Sequence, residues 1–547
     1  MSLFRNFLIL FAGVATHIVY LHGSEHHMYG TCYLQLLLLV LVTYVSFSTF
    51  TYSLNVSEAL KDALTHVSLY LLGLYTSLIT YRLFFSPLHH FPGPVGSRIS
   101  NLYLSLHITK LNAHEKLFSL HKAYGSFVRV GSSDLSITHP KAVQAIYGPQ
   151  SQCTKADWYD LTLPMVSMQT TRNRSLHDRR RRIWSQAFGE KSMRGYEQRM
   201  RVFQEQLVGK IEAAVSKDSS INVTEVFNLY TFDVMGDLAF GEGFDMLKTD
   251  QLHWAVQLVG EAMTPLGLML PTWMFRVLVS IPFATNGWWS FIRYCCDRLD
   301  ERMTVLQKKT ITSDILYTLL KPYNGTKPSG AELKVLQGDT QLIVVAGSDT
   351  TATTLASLFY ELVRNPEHIE LIRQEITPHV SPNGDILHQP LQYLEHLNAV
   401  IDETLRLHPP VGTGLQRTTP PEGLEIGDTY IPGNTTVSCP QYVIGRSEAI
   451  YENAHKFIPE RWYKSSTSVK EKSAYAPFSA GPYNCIGKPL ALMNLRTTAA
   501  KLLHRFDVCL ADGENGTAFE RDMKTQFTAA MGALNLKFTE RKVGGLK

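Results

Sequence analysis

A single cysteine on a glycine-containing loop is the residue of this chain best suited to chemistry. Residues 478–487 read FSAGPYNCIG, and an apolar run, PLALM, follows at 489–493. Cys485 therefore lies close to the predicted N-terminus of a helix, where free backbone N–H groups and the helix dipole favour a thiolate. Gly481 and Gly487 have no Cβ atom, so the loop backbone can approach a large flat ligand closely.

A thiolate presented in this way has the properties of an axial ligand to haem iron, where it donates electron density and favours O–O cleavage. The competing interpretation is a buried structural cysteine in an ordinary turn. The loop alone leaves both interpretations open, and motifs elsewhere in the chain decide between them.

Composition and charge exclude several classes of protein. The chain has 547 residues, of which 45% are hydrophobic and 18% charged, and its formal net charge of +4 is too small to indicate a nucleic-acid partner. The seven cysteines are odd in number and include no CxxC pair. This pattern excludes a disulfide scaffold and a cysteine-rich zinc site, and it fits a catalytic domain in the reducing cytosol.

The first ninety residues differ from the rest because they contain three apolar segments. Residues 33–52 include no charged side chain over about the twenty residues that a bilayer requires. Residues 64–81 form a second candidate span, and residues 4–21 form a weaker third, which also resembles a signal peptide. Buried core helices are the alternative, but tandem segments with aromatic ends favour membrane spans. We predict a membrane anchor of two to three transmembrane helices over residues 1–90.

The remaining residues, 91–547, are predicted to form one catalytic domain. The sequence FPGP at 91–94 breaks any helix that leaves the membrane. Short strand-like runs occur at 126–131 and 429–432, and the pattern between them is mostly helical. The predicted fold class is mainly α with small β-sheets.

One predicted helix is unusually long. A capping box begins at Ser329 and no proline follows before Pro366, so the helix extends about 36 residues, or roughly 54 Å. Its middle changes abruptly from apolar to polar, and Asp349 and Thr350 are costly there unless they serve a ligand or a reaction. Gly347, unfavourable within a helix, is predicted to open a groove against a ligand. A satisfied kink is the alternative.

A second predicted helix, residues 394–408, carries Glu403 and Arg406 on one face. Such a pair alone indicates nothing about function. The order of this pair and three other motifs along the chain is informative. The long helix comes first, then ETLR at 403–406, then FIPERW at 457–462, and then the Cys485 loop. With these four spaced motifs, the chain resembles the cytochrome P-450 family of haem-thiolate monooxygenases over residues 90 to 540 or so.

The resemblance implies a cytochrome P-450 fold, preceded by transmembrane helices, with haem b as cofactor in a haem-thiolate catalytic domain. Cys485 corresponds to the ligand of the iron. The other loop residues carried over are Phe478, Gly481 and Gly487. Glu403, Arg406 and Arg461 correspond to a buried structural ion network below the haem, in which removal of one member leaves an uncompensated charge.

Three further residues correspond to contacts with the haem propionates: His177, Arg181 and Arg417. The chain also departs from the family pattern, because Tyr483 stands two residues before the cysteine, where Arg or His is usual. A phenol donates one hydrogen bond and supplies no charge, so propionate neutralisation is in question. The other arginines of 179–182 are either solvated charges or part of a docking surface for an acidic reductase.

The resemblance also implies an activity. Thr350 corresponds to the hydrogen-bonding alcohol at the dioxygen site, and Asp349 to the acid that relays protons from solvent. Electrons come from NADPH through NADPH-cytochrome P-450 reductase, and a hydrophobic small molecule is oxidised by O2. The tandem spans look most like fungal microsomal members of secondary metabolism, in the endoplasmic reticulum membrane with the catalytic domain in the cytosol. Asn55 would then face the lumen as a possible glycosylation site.

Two alternatives stay open. An isomerase or dehydratase of the same family needs no external electrons, and a non-catalytic haem-binding protein has no turnover. The Asp349–Thr350 pair favours the monooxygenase over both. By analogy the substrate pocket is lined by Trp158, Met165 and Met168, by residues 263–273 and by Phe527, although core packing accounts equally well for each of these apolar side chains.

Overall fold

A computed structural model describes residues 2–281, 286–307, 314–323, 326, 328–464 and 467–541 of the chain. Helices dominate these residues, as predicted. The α-helices are α1 (Ser2–Ala15), α2 (Gly30–Tyr52), α3 (Val56–Thr80), α4 (Val95–Ile99), α5 (Leu102–His107), α6 (Ala113–Tyr124), α7 (Ala142–Tyr147), α8 (Arg174–Ala187), α9 (Glu190–Ser216), α10 (Val223–Phe240), α11 (Met246–Thr249), α12 (Trp254–Gly267), α13 (Thr272–Val279), α14 (Asn286–Gln307), α15 (Ile315–Leu320), α16 (Gly330–Arg364), α17 (Glu367–Ile376), α18 (His388–Leu391), α19 (Glu395–Leu407), α20 (Gln441–Ile444), α21 (Lys488–Arg505) and α22 (Thr517–Arg521).

Short strands form the small sheets that the sequence predicts. They are β1 (Phe127–Arg129), β2 (Asp134–Ile137), β3 (Thr154–Lys155), β4 (Ile221–Asn222), β5 (Arg417–Thr418), β6 (Leu424–Ile426), β7 (Thr429–Ile431), β8 (Thr436–Ser438), β9 (Phe506–Leu510), β10 (Lys524–Thr525), β11 (Ala529–Ala530) and β12 (Asn535–Glu540). One sheet has the order β1-β2-β8-β5-β3, with only β2 and β8 parallel, and another has the order β4-β12-β9. The pairs β6-β7 and β10-β11 are hairpins.

Three N-terminal helical segments are long and apolar enough to cross a membrane. They are Leu3–Leu21, Gly30–Tyr52 and Val56–Phe85, and most of their surface is unburied. Helix α16 meets the same criteria of length and composition, but two thirds of its most apolar window is buried inside the protein. Burial therefore separates the anchor helices from the core helix, a distinction that hydropathy alone does not make.

Helices α1 and α3 pack on one another through glycines. A Cβ atom on Gly13 of α1 would lie 2.1 Å from the carbonyl oxygen of Tyr70, and one on Gly73 of α3 would lie 2.0 Å from that of Leu10. Only glycine permits this backbone approach, which is typical of helix pairs in lipid.

The connection between α1 and α2 rests against the catalytic domain. Arg172, just before α8, donates to Glu25 at 2.7 Å and to Asp160 at 2.7 Å. His27 lies 2.9 Å from the same Asp160 carboxylate. Arg82 at the end of the third segment donates to the carbonyl of Ile99 at 2.6 Å. These contacts attach the anchor to the domain at two places.

The long core helix follows the sequence prediction closely. Helix α16 begins at Gly330, where the Ser329 side chain accepts a hydrogen bond from the backbone N–H of Glu332, and it ends at Arg364, two residues before Pro366. Gly347 has a different role from the predicted one. A Cβ there would lie 2.6 Å from the Met235 side chain of α10, so the glycine accommodates a neighbouring helix rather than a ligand.

The predicted ion network is fully buried. Arg406 on α19 donates twice to Glu403, at 2.7 and 2.8 Å, and Arg461 donates to the same carboxylate at 3.0 Å. Trp462 donates its indole N–H to Glu403 at 3.0 Å, and the backbone N–H of Ile458 donates at 2.8 Å. One carboxylate thus bonds to two buried guanidinium groups, compensates one of their two positive charges, and joins α19 to the turn that carries the FIPERW motif.

We predict that Glu403→Gln destabilises the catalytic domain by about 3–5 kcal/mol, because two buried cations lose their counter-charge. Chemical denaturation followed by tryptophan fluorescence measures this change. Glu190→Gln is the matched control, since the Glu190–Arg194 pair is exposed and contributes little. Equal midpoints for the two variants would contradict the structural role of Glu403.

Candidate functional site

Cys485 is an exposed residue on the loop before α21. A 3₁₀ turn at Gly481–Tyr483 precedes the cysteine, and α21 begins three residues after it. The backbone N–H of Cys485 donates to the carbonyl of Phe478 at 2.8 Å, which closes the loop. Cys485 is exposed, whereas Cys295 and Cys439 are completely buried. The interpretation of Cys485 as a buried structural cysteine is therefore wrong.

The pKa of the Cys485 thiol differs from the sequence expectation, which is that the helix N-terminus favours the thiolate. Burial raises the pKa of the Cys485 thiol, although the residue as a whole retains exposed surface. Hydrogen bonds from the backbone N–H groups of Gly487 and Lys488, together with the charge of Arg181, act in the opposite direction. The helix N-terminus therefore contributes as predicted but does not outweigh desolvation. Coordination of a metal ion is the interaction that would deprotonate this thiol outright.

The two loop glycines have different physical roles. Gly481 has φ +60°, and a Cβ on it would lie 2.3 Å from the carbonyl oxygen of Tyr147. Its close approach is to protein backbone and not to the flat ligand that the sequence suggested. Gly487 has an ordinary φ of −78°, and its only neighbour within 4 Å of an added Cβ is the Cys485 sulfur at 3.8 Å.

Phe478 lies at the other end of the loop. Its carbonyl accepts the Cys485 N–H, and the ammonium of Lys488 stands 5.6 Å from the centre of its ring. Phe478 is half-buried against the hydrophobic core. The loop thus combines the predicted aromatic residue and the cysteine in one hydrogen-bonded turn.

The structure separates the two predicted propionate contacts on α8. His177 is buried, its Nδ1 donates to Asp178 at 2.9 Å, and its ring meets the Tyr483 ring edge-on at 4.6 Å. Burial lowers the pKa of His177 to about 4, so the imidazole is neutral. Arg181 instead donates to the backbone carbonyl of Asn484 at 2.8 Å and also to its side-chain oxygen. Arg181 therefore fastens the residue next to the cysteine.

Arg417 is completely buried in β5 without an acidic partner among the described residues. One of its Nη groups donates to the Tyr159 hydroxyl at 2.7 Å and to the carbonyl of Gln416 at 2.9 Å, and its Nε has no partner. Lys155, in the neighbouring strand β3, is also buried and was missed by sequence reasoning. No local pattern distinguishes this lysine, because its position depends on strand pairing.

The polar turn of α16 has an accessible face. Ala346 is exposed, although Val344 and Ser348 on either side are buried. The Thr350 hydroxyl donates to the carbonyl of Ala346 at 3.0 Å. Asp349 does not bond to Thr350; it accepts a hydrogen bond from Thr528 in the hairpin between β10 and β11.

Burial raises the pKa of the Asp349 carboxyl, and the hydrogen bond from Thr528 lowers it in part. Thr528 is a second residue that sequence reasoning missed, since it comes close to Asp349 only in the folded protein. Asp349 and Thr350 are therefore adjacent in the chain, but Asp349 is held by Thr528 and Thr350 by the Ala346 carbonyl.

The predicted pocket residues divide into two groups. The Trp158 and Phe527 rings stack, with centres 5.2 Å apart and planes 17° from parallel. Phe527 has φ +107°, a strained value for an aromatic residue and typical of functional sites. Met165, Met168 and Met263 are buried in the main hydrophobic core, as the packing alternative predicts.

Comparison with known proteins decides the family. The family described as Cytochrome P450 matches residues 92–535. The chain belongs to the cytochrome P-450 family. Members of this family hold haem iron through a cysteine thiolate, and the residues here fit that group. Cys485 is accessible, and Arg417 is a buried cation with an unpartnered Nε that an anionic edge group can satisfy.

Several fungal monooxygenases are similar to this P-450 over nearly the whole chain. The cytochrome P450 monooxygenase notG' of Aspergillus versicolor is 43% identical and covers 98% of this chain and 97% of its own length. The tryprostatin B 6-hydroxylase of Neosartorya fischeri is 42% identical over 97% of each chain. Among solved structures, the heme domain of cytochrome P450DA is 19% identical, covers 80% of this chain and 95% of its own, and has a TM-score of 0.66, which establishes the fold.

We predict that Gly481→Ala disrupts the Cys485 loop, because a Cβ at a positive φ costs about 1–2 kcal/mol and also meets the Tyr147 carbonyl. Haem content per polypeptide and thermal stability both fall. Gly189→Ala is the matched control, since its φ is an ordinary −71° and an added Cβ would lie 3.7 Å from its nearest neighbour, the Gln186 carbonyl oxygen. The account fails if the two alanine variants retain equal haem content and equal stability.

Proposed function

We propose that this P-450 is an NADPH- and O2-dependent monooxygenase that hydroxylates or otherwise oxidises a hydrophobic small molecule in fungal secondary metabolism. The observation that carries the proposal is the pairing of an accessible cysteine loop with an acid–alcohol pair on the exposed turn of the core helix α16. The similar fungal monooxygenases, including a tryprostatin hydroxylase, support the pathway assignment.

The proposed cofactor is haem b, with Cys485 as the axial ligand of the iron. When bound, haem supplies the electron-transfer and oxygen-activating chemistry, and the protein supplies orientation and electrostatics. Arg181 and the N-terminus of α21 stabilise negative charge on the Cys485 sulfur. Phe478 begins the loop, and Gly481 permits the close approach of the loop backbone to Tyr147. His177, neutral and buried, donates its Nδ1 proton to Asp178 and packs its ring against Tyr483, so it adds no charge at the propionate edge.

Proton delivery is assigned to Asp349 and Thr350. A carboxyl group whose pKa is raised by burial holds a proton at a higher pH than an exposed one and can pass it on. The Thr528 hydroxyl fixes the orientation of Asp349. Thr350 donates to the Ala346 carbonyl at rest, and its hydroxyl can rotate towards the accessible face of α16.

The substrate pocket is assigned to the surface around the Trp158–Phe527 stack. Two stacked aromatic rings provide a flat apolar wall, which binds hydrophobic molecules and excludes water. Phe527 lies next to Thr528, so the wall that contacts substrate adjoins the residue that orients Asp349. This connection supports a hydrophobic substrate for the same active site.

The proposed electron donor is NADPH-cytochrome P-450 reductase. Arg179 and Arg182 on α8 are exposed and can attract an acidic partner. Arg180 is not part of this surface, because it is buried and paired with Asp339 between α8 and α16. The interpretation of Arg180 as a solvated charge is wrong for that reason.

The proposed location is the endoplasmic reticulum membrane, with residues 1–90 as the anchor and residues 91–547 facing the cytosol. Glu25 and His27 contact Arg172 and Asp160 of the catalytic domain, so the connection between α1 and α2 lies on the same side as that domain. The opposite ends of the spans, including Asn55, then face the lumen.

One experiment tests the proposed function. The compound that accumulates after deletion of the gene is incubated with the purified holoenzyme, reductase, NADPH and ¹⁸O₂. We expect a product that carries one ¹⁸O atom and that forms only when the reductase and NADPH are present. A product formed without NADPH would identify an isomerase or dehydratase, and the absence of any product would favour the non-catalytic haem protein.

We predict that Asp349→Asn lowers product formation roughly 100-fold, because a positioned proton donor is lost. NADPH oxidation falls less than product formation, so the ratio of product to NADPH consumed decreases. Thr350→Val gives the same loss of coupling. The matched control is Thr351→Val, which removes the neighbouring hydroxyl that bonds to the carbonyl of Gly347. Coupling equal to wild type in the Asp349 variant would contradict the assigned role.

We also predict that Asn55 is glycosylated in its native membrane, since Asn55-Val56-Ser57 faces the lumen in this topology. Endoglycosidase treatment increases the electrophoretic mobility of the wild-type chain but not that of Asn55→Gln or Ser57→Ala. A glycan on a site within residues 91–547 would contradict the proposed orientation, because it would place these residues in the lumen.

A further inference from the structure

Two buried cations occupy directly opposed positions on neighbouring strands. Lys155 of β3 pairs with Arg417 of β5 in antiparallel register, and both side chains are almost completely buried. Like charges placed directly across a strand pair destabilise a sheet. The arrangement is therefore unfavourable unless something on the same face neutralises it.

No carboxylate in the described part of the chain bonds to either member of this pair, although Asp178, which His177 and Arg174 hold, acts on Lys155 from a distance. The Lys155 ammonium donates to the backbone carbonyls of Met168 at 3.1 Å and Gln169 at 2.5 Å, and it has no carboxylate partner in the described part of the chain. Among the described residues, Arg417 donates hydrogen bonds to a hydroxyl and a carbonyl, and its Nε has no partner. Burial, and then the charge of Arg417, lower the pKa of Lys155 to about 7. Two buried cationic groups without a bonded carboxylate, one of which leaves its Nε unpartnered, indicate an anionic ligand on this face.

Tyr483 of the cysteine loop contacts both of these cations. The Lys155 ammonium is 4.9 Å from the centre of the Tyr483 ring, and the Arg417 guanidinium is 5.1 Å from it. These are cation–π distances, and Arg174 makes a third such contact at 5.3 Å. The phenol thus carries no charge itself, but it gathers positive charge two residues before Cys485.

We propose that Lys155 is a haem-anchoring residue of this P-450. Its ammonium, held over the Tyr483 ring, supplies the positive charge that an Arg or His at position 483 would otherwise provide. The inference rests on the proposed haem-binding function. Haem brings two carboxylates to the edge of its ring, and Lys155 and Arg417 provide two cations. The charges balance without the Arg or His that is usual before the cysteine, and the like-charge pair across β3 and β5 becomes favourable.

The test compares Lys155→Met with wild type as purified holoenzymes. Loss of a charge-assisted contact increases the rate of haem transfer to an excess of a competing apo-haem protein by about 10-fold or more. It also lowers the midpoint potential of the iron, because a positive charge near haem stabilises the reduced form. Lys210→Met is the matched control, since Lys210 is half-buried and paired with Asp250 on the protein surface.

The double variant Lys155→Met/Tyr483→Arg separates haem anchoring from a merely structural role. Arginine at 483 restores a cation to the same site, so haem retention and potential return towards the wild-type values. A role limited to the Met168 and Gln169 carbonyls gives no such rescue and leaves the potential unchanged, which overturns the proposal. Unaltered haem retention and potential in Lys155→Met also overturn it while the haem-binding function stands. A wild-type chain that binds no haem overturns both.

Discussion

The position of the Cys485 sulfur depends on a loop held against the protein at three points. Gly481 lies too close to the Tyr147 carbonyl for any side chain, the Cys485 N–H bonds to Phe478, and Arg181 holds Asn484. Behind the loop, α21 directs its free N–H groups at the sulfur. The exposed cysteine is therefore a fixed feature of the fold.

Charge placement explains much of the remaining architecture. Where buried positive charge serves stability, the Glu403 carboxylate bonds directly to both arginines, and backbone carbonyls accept further N–H groups of each. Around Tyr483 the described residues leave Lys155 and Arg417 without bonded acidic partners. The unpartnered Nε of Arg417 and the Lys155 ammonium, which bonds only to carbonyls among the described residues, are groups that an anionic ligand would satisfy. The anchor is joined to this region, because Arg172 bonds both to Glu25 and to the carbonyl of Lys155.

Sequence reasoning succeeded where the signal was local. The capping box at Ser329 and the proline at 366 predicted α16 almost to the residue, and Cys485 was correctly placed before a helix. It failed where long-range packing decides the outcome. Met235 fills the space beside Gly347, strand pairing brings Lys155 to Arg417, and burial outweighs the helix dipole at the thiol. The local sequence around these residues does not reveal any of the three effects, because each depends on contacts made only in the folded protein.

The central claim is that Cys485 binds haem iron as a thiolate, even though the protein alone raises the pKa of this thiol. The most direct measurement is the CO difference spectrum of the dithionite-reduced, solubilised protein. The account predicts a red-shifted Soret band of the thiolate type in the wild-type protein and its loss in Cys485→Ser. A band at shorter wavelength in the wild-type protein would mean a protonated thiol or another ligand, and it would contradict the account.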